Sequence, residues 1–236
     1  MMLRQIKEDI DVALEKDPAA RNALEVLILY PGVHALIAYR FNHWLWGLGV
    51  KFIARSLSQI ARWVTGIEIH PAAIIGKRFF IDHGMGVVIG ETSEVGDNVF
   101  VYQGVTLGGL ATKKGKRHPT ISDDVVIGAG AKVLGPIKIG CNTKIGSGSV
   151  VLQNVPEYST VIGVPGRVVF SGISSEMEDE DGPESFPDPV ARAIECMLDR
   201  LPEMEKEIRR LKETLKENGI CDPSPIEETT RKKIIG

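Results

Sequence analysis

Residues 69–107 read IHPAAIIGKRFFIDHGMGVVIGETSEVGDNVFVYQGVTL, and residues 121–151 read ISDDVVIGAGAKVLGPIKIGCNTKIGSGSVV. Aliphatic residues recur every six positions at Ile69, Ile75 and Ile81, then at Ile89, Val95, Val101 and Leu107. They resume at Ile121, Ile127, Val133, Ile139, Ile145 and Val151. A step of six matches neither the alternation of an amphipathic strand nor the 3.6-residue turn of a helix. It is the period of a hexapeptide solenoid, in which each unit gives one short strand and one corner. Three units close a coil of about 18 residues, and the aliphatic side chains stack along the axis at about the 4.8 Å spacing of neighbouring strands. The residue after the inward one sits at the corner and is often glycine: Gly76, Gly90, Gly96, Gly128, Gly140 and Gly146.

Two interruptions break the step, and loops mounted on a rigid scaffold are where function concentrates. Ile81 to Ile89 is two residues too long and contains Asp82-His83-Gly84-Met85-Gly86. Leu107 to Ile121 is eight too long and carries GGLATKKGKRHPT at 108–120. Each holds one of the chain's 5 histidines. Glu68 precedes His83 by 15 residues, close to one coil, which places a carboxylate and an imidazole on neighbouring coils near one edge. That pairing is a general-base dyad, in which the carboxylate fixes the tautomer and supports the imidazolium. In the long loop Lys113, Lys114 and Lys116 favour an anionic ligand, and Arg117 can hold a carboxylate in bidentate fashion. Gly108-Gly109 permits backbone N–H groups to approach a ligand oxygen.

Residues 1–66 read as a helical domain. Leu3, Ile6, Ile10 and Leu14 form an apolar stripe ending at Lys16-Asp17-Pro18, where Asp17 has the place of an N-cap before a helix opened by Pro18. The segment from Ala23 to Trp46 is apolar on several faces and is expected to pack on the prism or on a neighbour. A further helix, about Val50 to Val64, leads into the first strand. The prism is expected over 67–170, with the hexad pattern ending near Pro156 and PEYSTVIGVPGR closing it. Residues 171–189 are an acidic linker. Over 190–217 a heptad places Ile194, Leu201, Ile208 and Leu215 on one position and Met197, Met204 and Leu211 on the other, a coiled coil between subunits or a helix packed back on its own chain; 218–236 is a tail.

A net charge of -3 without basic and aromatic interleaving excludes a nucleic-acid binder of the usual kind. The uncharged run from Val26 to Tyr39 is too short to cross a membrane, and MMLRQIKEDID has no signal-peptide core, so a cytoplasmic location is the default. Cys141, Cys196 and Cys221 have no metal-site spacing and read as structural.

The motifs IHPAA (69–73), IDHGMGVVIGET (81–92), QGVTLGG (103–109), KRHPTI (116–121), IGAGAKVLG (127–135) and IGSGSVVL (145–152) together resemble the serine O-acetyltransferase family. DPAA (17–20) and HALIAYRFNHWLW (34–46) resemble its helical domain. The resemblance implies an α+β fold: an N-terminal helical domain, then a left-handed parallel β-helix, an exception to the right-handed crossover rule. It implies a homotrimer with sites between adjacent prisms, transfer of acetyl from acetyl-CoA to L-serine on the way to cysteine, no tightly bound cofactor and no metal. By position His83 is the base, Glu68 its partner and His118 the second active-site histidine. Asp17 and Asp82 hold the substrate ammonium, Arg117 its carboxylate, and backbone at Gly109, Ala129 and Ser147 lines the acetyl-CoA groove. Since no serine or cysteine in these motifs resembles an acyl carrier, direct attack on the thioester is expected.

Three features depart from the family pattern. Glu68 stands where an aspartate is common, the loop lacks a GGTGK opening, and the helical domain is short, favouring a simple trimer. Longer relatives dock a C-terminal isoleucine into a sulfhydrylase; this chain ends Ile234-Ile235-Gly236, so that complex is not expected. Other readings of the same residues are an acetyltransferase for another hydroxyl or amine, a zinc site using His83 and His118, and a scaffold whose heptad binds a partner.

Overall fold

The computed structural model describes residues 2–171 and Arg210. The linker, heptad and tail expected beyond residue 171 lie outside the described residues, Arg210 apart, as do Cys196 and Cys221. Four helices come first: α1 (Met2–Lys16), α2 (Ala23–Leu29), α3 (Pro31–Gly47) and α4 (Lys51–Thr65). Fifteen strands follow among the described residues.

The strands form three sheets that are the faces of a prism. The first face stacks β1 (Glu68–Ile69), β4 (Val88–Ile89), β7 (Thr106–Gly108), β10 (Lys132–Leu134) and β13 (Val150–Val151). On the second are β2 (Ile74–Ile75), β5 (Glu94–Val95), β8 (Thr120–Ile121) and β11 (Lys138–Ile139). The third holds β3 (Phe80–Ile81), β6 (Phe100–Val101), β9 (Val126–Ile127), β12 (Lys144–Ile145), β14 (Ser159–Ile162) and β15 (Arg167–Ser171). All pairings are parallel except β14 with β15. Successive units visit the three faces in turn, so neighbours in a sheet are one coil apart.

All thirteen residues of the six-residue pattern lie in one buried core. The register also shows where the interruptions go. Ile127 stands beside Ile145, a coil of 18, whereas Ile69 stands beside Ile89, a coil of 20, and Leu107 beside Val133, a coil of 26. Both insertions bulge at corners and leave the column in register. The repeat also runs past Pro156: Val161 stands beside Ile145 at a spacing of 16, and β15 turns back antiparallel to end the third face. That shortened coil hides the last strand from a six-residue template.

The corner glycines Gly76 and Gly128 answer to close approach between coils rather than to a left-handed backbone. Gly76 and Gly128 do not take left-handed φ; a Cβ on Gly128 would stand 2.6 Å from Ser147 N on the next coil. Close approach between coils excludes side chains there. At the corner between the second and third faces the left-handed positions include Arg78 (φ 54°), Asn98 (56°), Asp124 (56°) and Asn142 (54°), three of these four being Asn or Asp. Asn and Asp tolerate this region better than other side chains.

At the helical end, α1 stops where expected, but no helix starts at Pro18. Residues 17–22 form an irregular connection, and Asn22 caps α2 by accepting from Glu25 N at 2.9 Å. Helix α3 caps the column: Ala35, Leu36 and Tyr39 join its core, and Tyr39 Oη donates to Ala73 O at 2.7 Å. A second core joins Val12, Ala13, Val26 and Val33 of the helices to Phe80 and Phe100 on the third face. Among the described residues no single helix is long and apolar enough to cross a membrane.

Arg40 ties helix to prism, donating to Ile75 O (2.8 Å) and Gly76 O (2.7 Å) and pairing with the buried Asp9 (3.3 Å). Burial pushes the Asp9 carboxyl from 3.8 up to about 6, against the pull of Arg40. The folded state therefore holds this proton more tightly than the unfolded chain. Its stabilising contribution is complete below 3.8 and is lost as pH rises through about 6. Asp9→Asn is expected to flatten the stability profile over that window, checked by urea midpoints on either side of it.

Candidate active site

His83 and His118 stand on different edges of the prism. His83 lies in the two-residue insertion at the corner between β3 and β4, the edge joining the third face to the first. Its backbone is left-handed (φ 56°), a strained choice for a non-glycine residue. The ring projects outward with its side chain 76% exposed, Nε2 lying 3.8 Å from Asp82 Oδ2. Burial raises the Asp82 carboxyl above its usual range; His83 opposes that rise and the charge of Asp17 adds to it. Asp17, from the connection after α1, is therefore near enough to this corner for its charge to bear on Asp82. Ala129 and Ser147 lie further along it, where Gly148 N donates to Ala129 O at 2.8 Å.

The other edge joins the first face to the second and carries the long loop. Thr92 builds it: its Oγ1 accepts from Arg117 N (3.0 Å) and His118 N (3.1 Å), and its O accepts from Lys116 Nζ (2.8 Å). Thr92 N donates to His118 Nδ1 at 3.2 Å, so in the neutral ring Nε2 carries the proton. Burial, then the charges of Arg117 and Lys116, hold His118 below its ordinary value, which keeps it neutral. Gly90 makes room for this ring, since any Cβ there would collide with it. The Arg117 guanidinium is paired with Glu91, whose carboxyl it lowers. Gly109 abuts Arg117 and His118. A cavity of about 550 Å³ opens here between Glu91, Thr92, Arg117 and the loop residues 111–115.

The expected hydrogen bond between Glu68 and His83 is not formed. Two arginines of α4 take the Glu68 carboxylate instead, Arg55 Nη2 at 3.4 Å and Arg62 Nε at 3.3 Å. A glutamate at the edge of the first face reaches the helix lying over it. Asp82 is the carboxylate beside His83. Sequence reasoning also missed Thr92, Glu91 and Tyr30, which hold His118, Arg117 and Asp17. Only the 26-residue coil brings Thr92 and Glu91 to the loop, although the ET of IDHGMGVVIGET was the available signal. His70, too, was unassigned. Burial, then Arg55, lowers it to about 4, its Nδ1 accepts from Ala72 N at 3.0 Å, and Trp46 meets its ring edge-on at 5.2 Å. As for the zinc reading, no group of three or more His, Cys, Asp or Glu among the described residues is placed to hold a metal ion.

The match to known proteins is extensive. The bacterial transferase hexapeptide (six repeats) family matches residues 118–153. A Bacillus licheniformis protein named serine acetyltransferase is 56% identical over 216 residues, covering 92% of this chain and 96% of its own. The chain belongs to the serine acetyltransferase family. A Bacillus subtilis serine acetyltransferase is 53% identical over 91% of this chain and 99% of its own. Among solved structures, serine acetyltransferase from Vibrio cholerae is 45% identical with a TM-score of 0.71, covering 73% of this chain and 67% of its own. The Neisseria gonorrhoeae enzyme in complex with serine is 43% identical with a TM-score of 0.68, over 70% and 68% of the two chains.

The candidate residues fall on two edges. Asp82, His83, Ala129 and Ser147 share one, with the charge of Asp17 near it; Gly109, Arg117 and His118 share another. A face about five residues wide separates them, roughly 16 Å at about 3.3 Å per residue.

Proposed function

We propose that this protein transfers acetyl from acetyl-CoA to the hydroxyl of L-serine, giving O-acetyl-L-serine and CoA for cysteine synthesis. The observation that carries this reading is the open His83 ring beside the Asp82 carboxylate, with the Asp17 carboxylate near enough for its charge to bear on Asp82. A base next to a pair of anions suits an acceptor that bears both a hydroxyl and an ammonium. The relative solved with serine bound points to the same acceptor.

In the proposed reaction His83 takes the serine hydroxyl proton as the oxygen attacks the thioester carbonyl directly. The C–S bond then breaks, and the imidazolium returns its proton to the departing thiolate. Arg117 holds the serine carboxylate once that carboxylate displaces Glu91 from the guanidinium. His118, fixed by Thr92, has its Nε2–H left to donate to a substrate oxygen. Glu68 steers through Arg55 and Arg62 on this chain, and it reaches His83 only if these pairs open. Backbone at Gly109, Ala129 and Ser147 lines the groove for acetyl-CoA, a substrate rather than a resident cofactor.

One serine cannot touch two edges of one prism. The division of the site therefore supports a homotrimer in which the His83 edge of each copy meets the His118 edge of the next. Cyclic symmetry closes such head-to-tail contacts into a ring. Likeness to the solved serine acetyltransferases supports a left-handed coil. Purified protein is expected to release thiol from acetyl-CoA only when L-serine is present. Serine-independent release, or none, would move the function to another acceptor or to the scaffold reading.

A further inference from the structure

Asp17 sits in the irregular connection 17–22, yet both of its carboxylate oxygens are held. Ala19 N donates to Oδ1 at 2.8 Å, and Tyr30 Oη donates to Oδ2 at 2.5 Å. The first bond spans two residues and travels with the loop. The second comes from the joint between α2 and α3, where the Tyr30 ring packs on the core of Val12, Val26, Phe80 and Phe100. Phe80 is one residue from Ile81, after which the chain enters the Asp82-His83 corner. One packed ring thus references the loop to the strand that presents the base. Burial and the Asp17 carboxylate also push the Tyr30 hydroxyl up to about 12, so it remains a donor at neutral pH.

We propose that Tyr30 is a positioning residue for acceptor choice: its hydroxyl fixes the Asp17 carboxylate beside Asp82, so that the pair receives the ammonium of an α-amino acid. This rests on the reading of Asp17 as an ammonium ligand. Without the hydroxyl, Asp17 keeps only a bond to its own loop, and part of the ammonium binding is spent on ordering that loop.

The test compares Tyr30→Phe, Asp17→Asn and the double variant with wild type, by steady-state thiol release. Tyr30→Phe keeps the ring and the core, and an unchanged melting temperature checks this. It is expected to raise the KM for serine about tenfold, the scale of one hydrogen bond to a charged group. The kcat and the KM for acetyl-CoA should stay within about twofold. In the Asp17→Asn background, adding Tyr30→Phe should change nothing further. A tenfold effect that persists in that background would mean the hydroxyl acts elsewhere and would overturn the proposal. So would an unchanged serine KM in Tyr30→Phe alongside a raised one in Asp17→Asn, with the ammonium reading intact. If Asp17→Asn leaves the serine KM unchanged, the ammonium reading itself fails, and this proposal falls with it.

Discussion

Replacing His83 with alanine is expected to lower kcat by about two to four orders of magnitude, the usual worth of a positioned general base. The KM for acetyl-CoA should stay within about threefold, because the ring contributes to proton transfer rather than to ground-state binding. The chain's 5 histidines are used in different ways. His34 Nε2 lies 2.7 Å from Leu27 O and His43 Nδ1 lies 2.8 Å from Pro71 O, both main-chain tethers. His70 is depressed to about 4 and accepts a backbone bond. His118 has Nδ1 committed to Thr92. The His83 ring makes no hydrogen bond to the main chain among the described residues, is widely exposed, and has the Asp82 carboxylate beside it. In the proposed reaction it is this ring that accepts a proton from the bound hydroxyl and gives it up again. Steady-state thiol release with varied serine and acetyl-CoA measures both constants. A kcat within about threefold of wild type would sink the base assignment.

Co-expressed His83→Ala and His118→Ala chains are expected to recover activity that neither variant has alone. If each site takes His83 from one copy and His118 from the next, equal random mixing leaves both intact at about a quarter of the sites, half multiplied by half. Differently tagged chains, purified through both tags, give the mixed trimers for assay, in which about one site in three is intact. Sites built within one chain would always lack one histidine, and the mixture would stay as inactive as its parents. The result depends on the roughly 16 Å between the two edges, too far for one small acceptor.

Much of the fold was legible because its cause is local and repeated. The six-residue step at Ile69 through Val151 reports a stacking rule that each unit obeys alone, so the faces, the core and the two bulges could be read directly. The last strand was less visible, since its 16-residue coil departs from the period. At Asp17 the sequence offered a helix cap before Pro18; the chain instead leaves residues 17–22 irregular and gives the cap to Asn22. Local propensity cannot weigh Tyr30, which captures Asp17 from thirteen residues away.

Sequence by itself determined the prism, its inward column, and the identity of the side chains on the two interruptions, because a period and a motif are properties of neighbouring residues. Only the tertiary structure decided which of those side chains share an edge. The 26-residue coil brings Thr92 under His118 and Glu91 to Arg117, and α4 brings Arg55 and Arg62 to Glu68. Those partners are set by how the backbone stacks, and a hydrogen bond or ion pair forms with whatever lies within reach in space, whatever its distance along the chain.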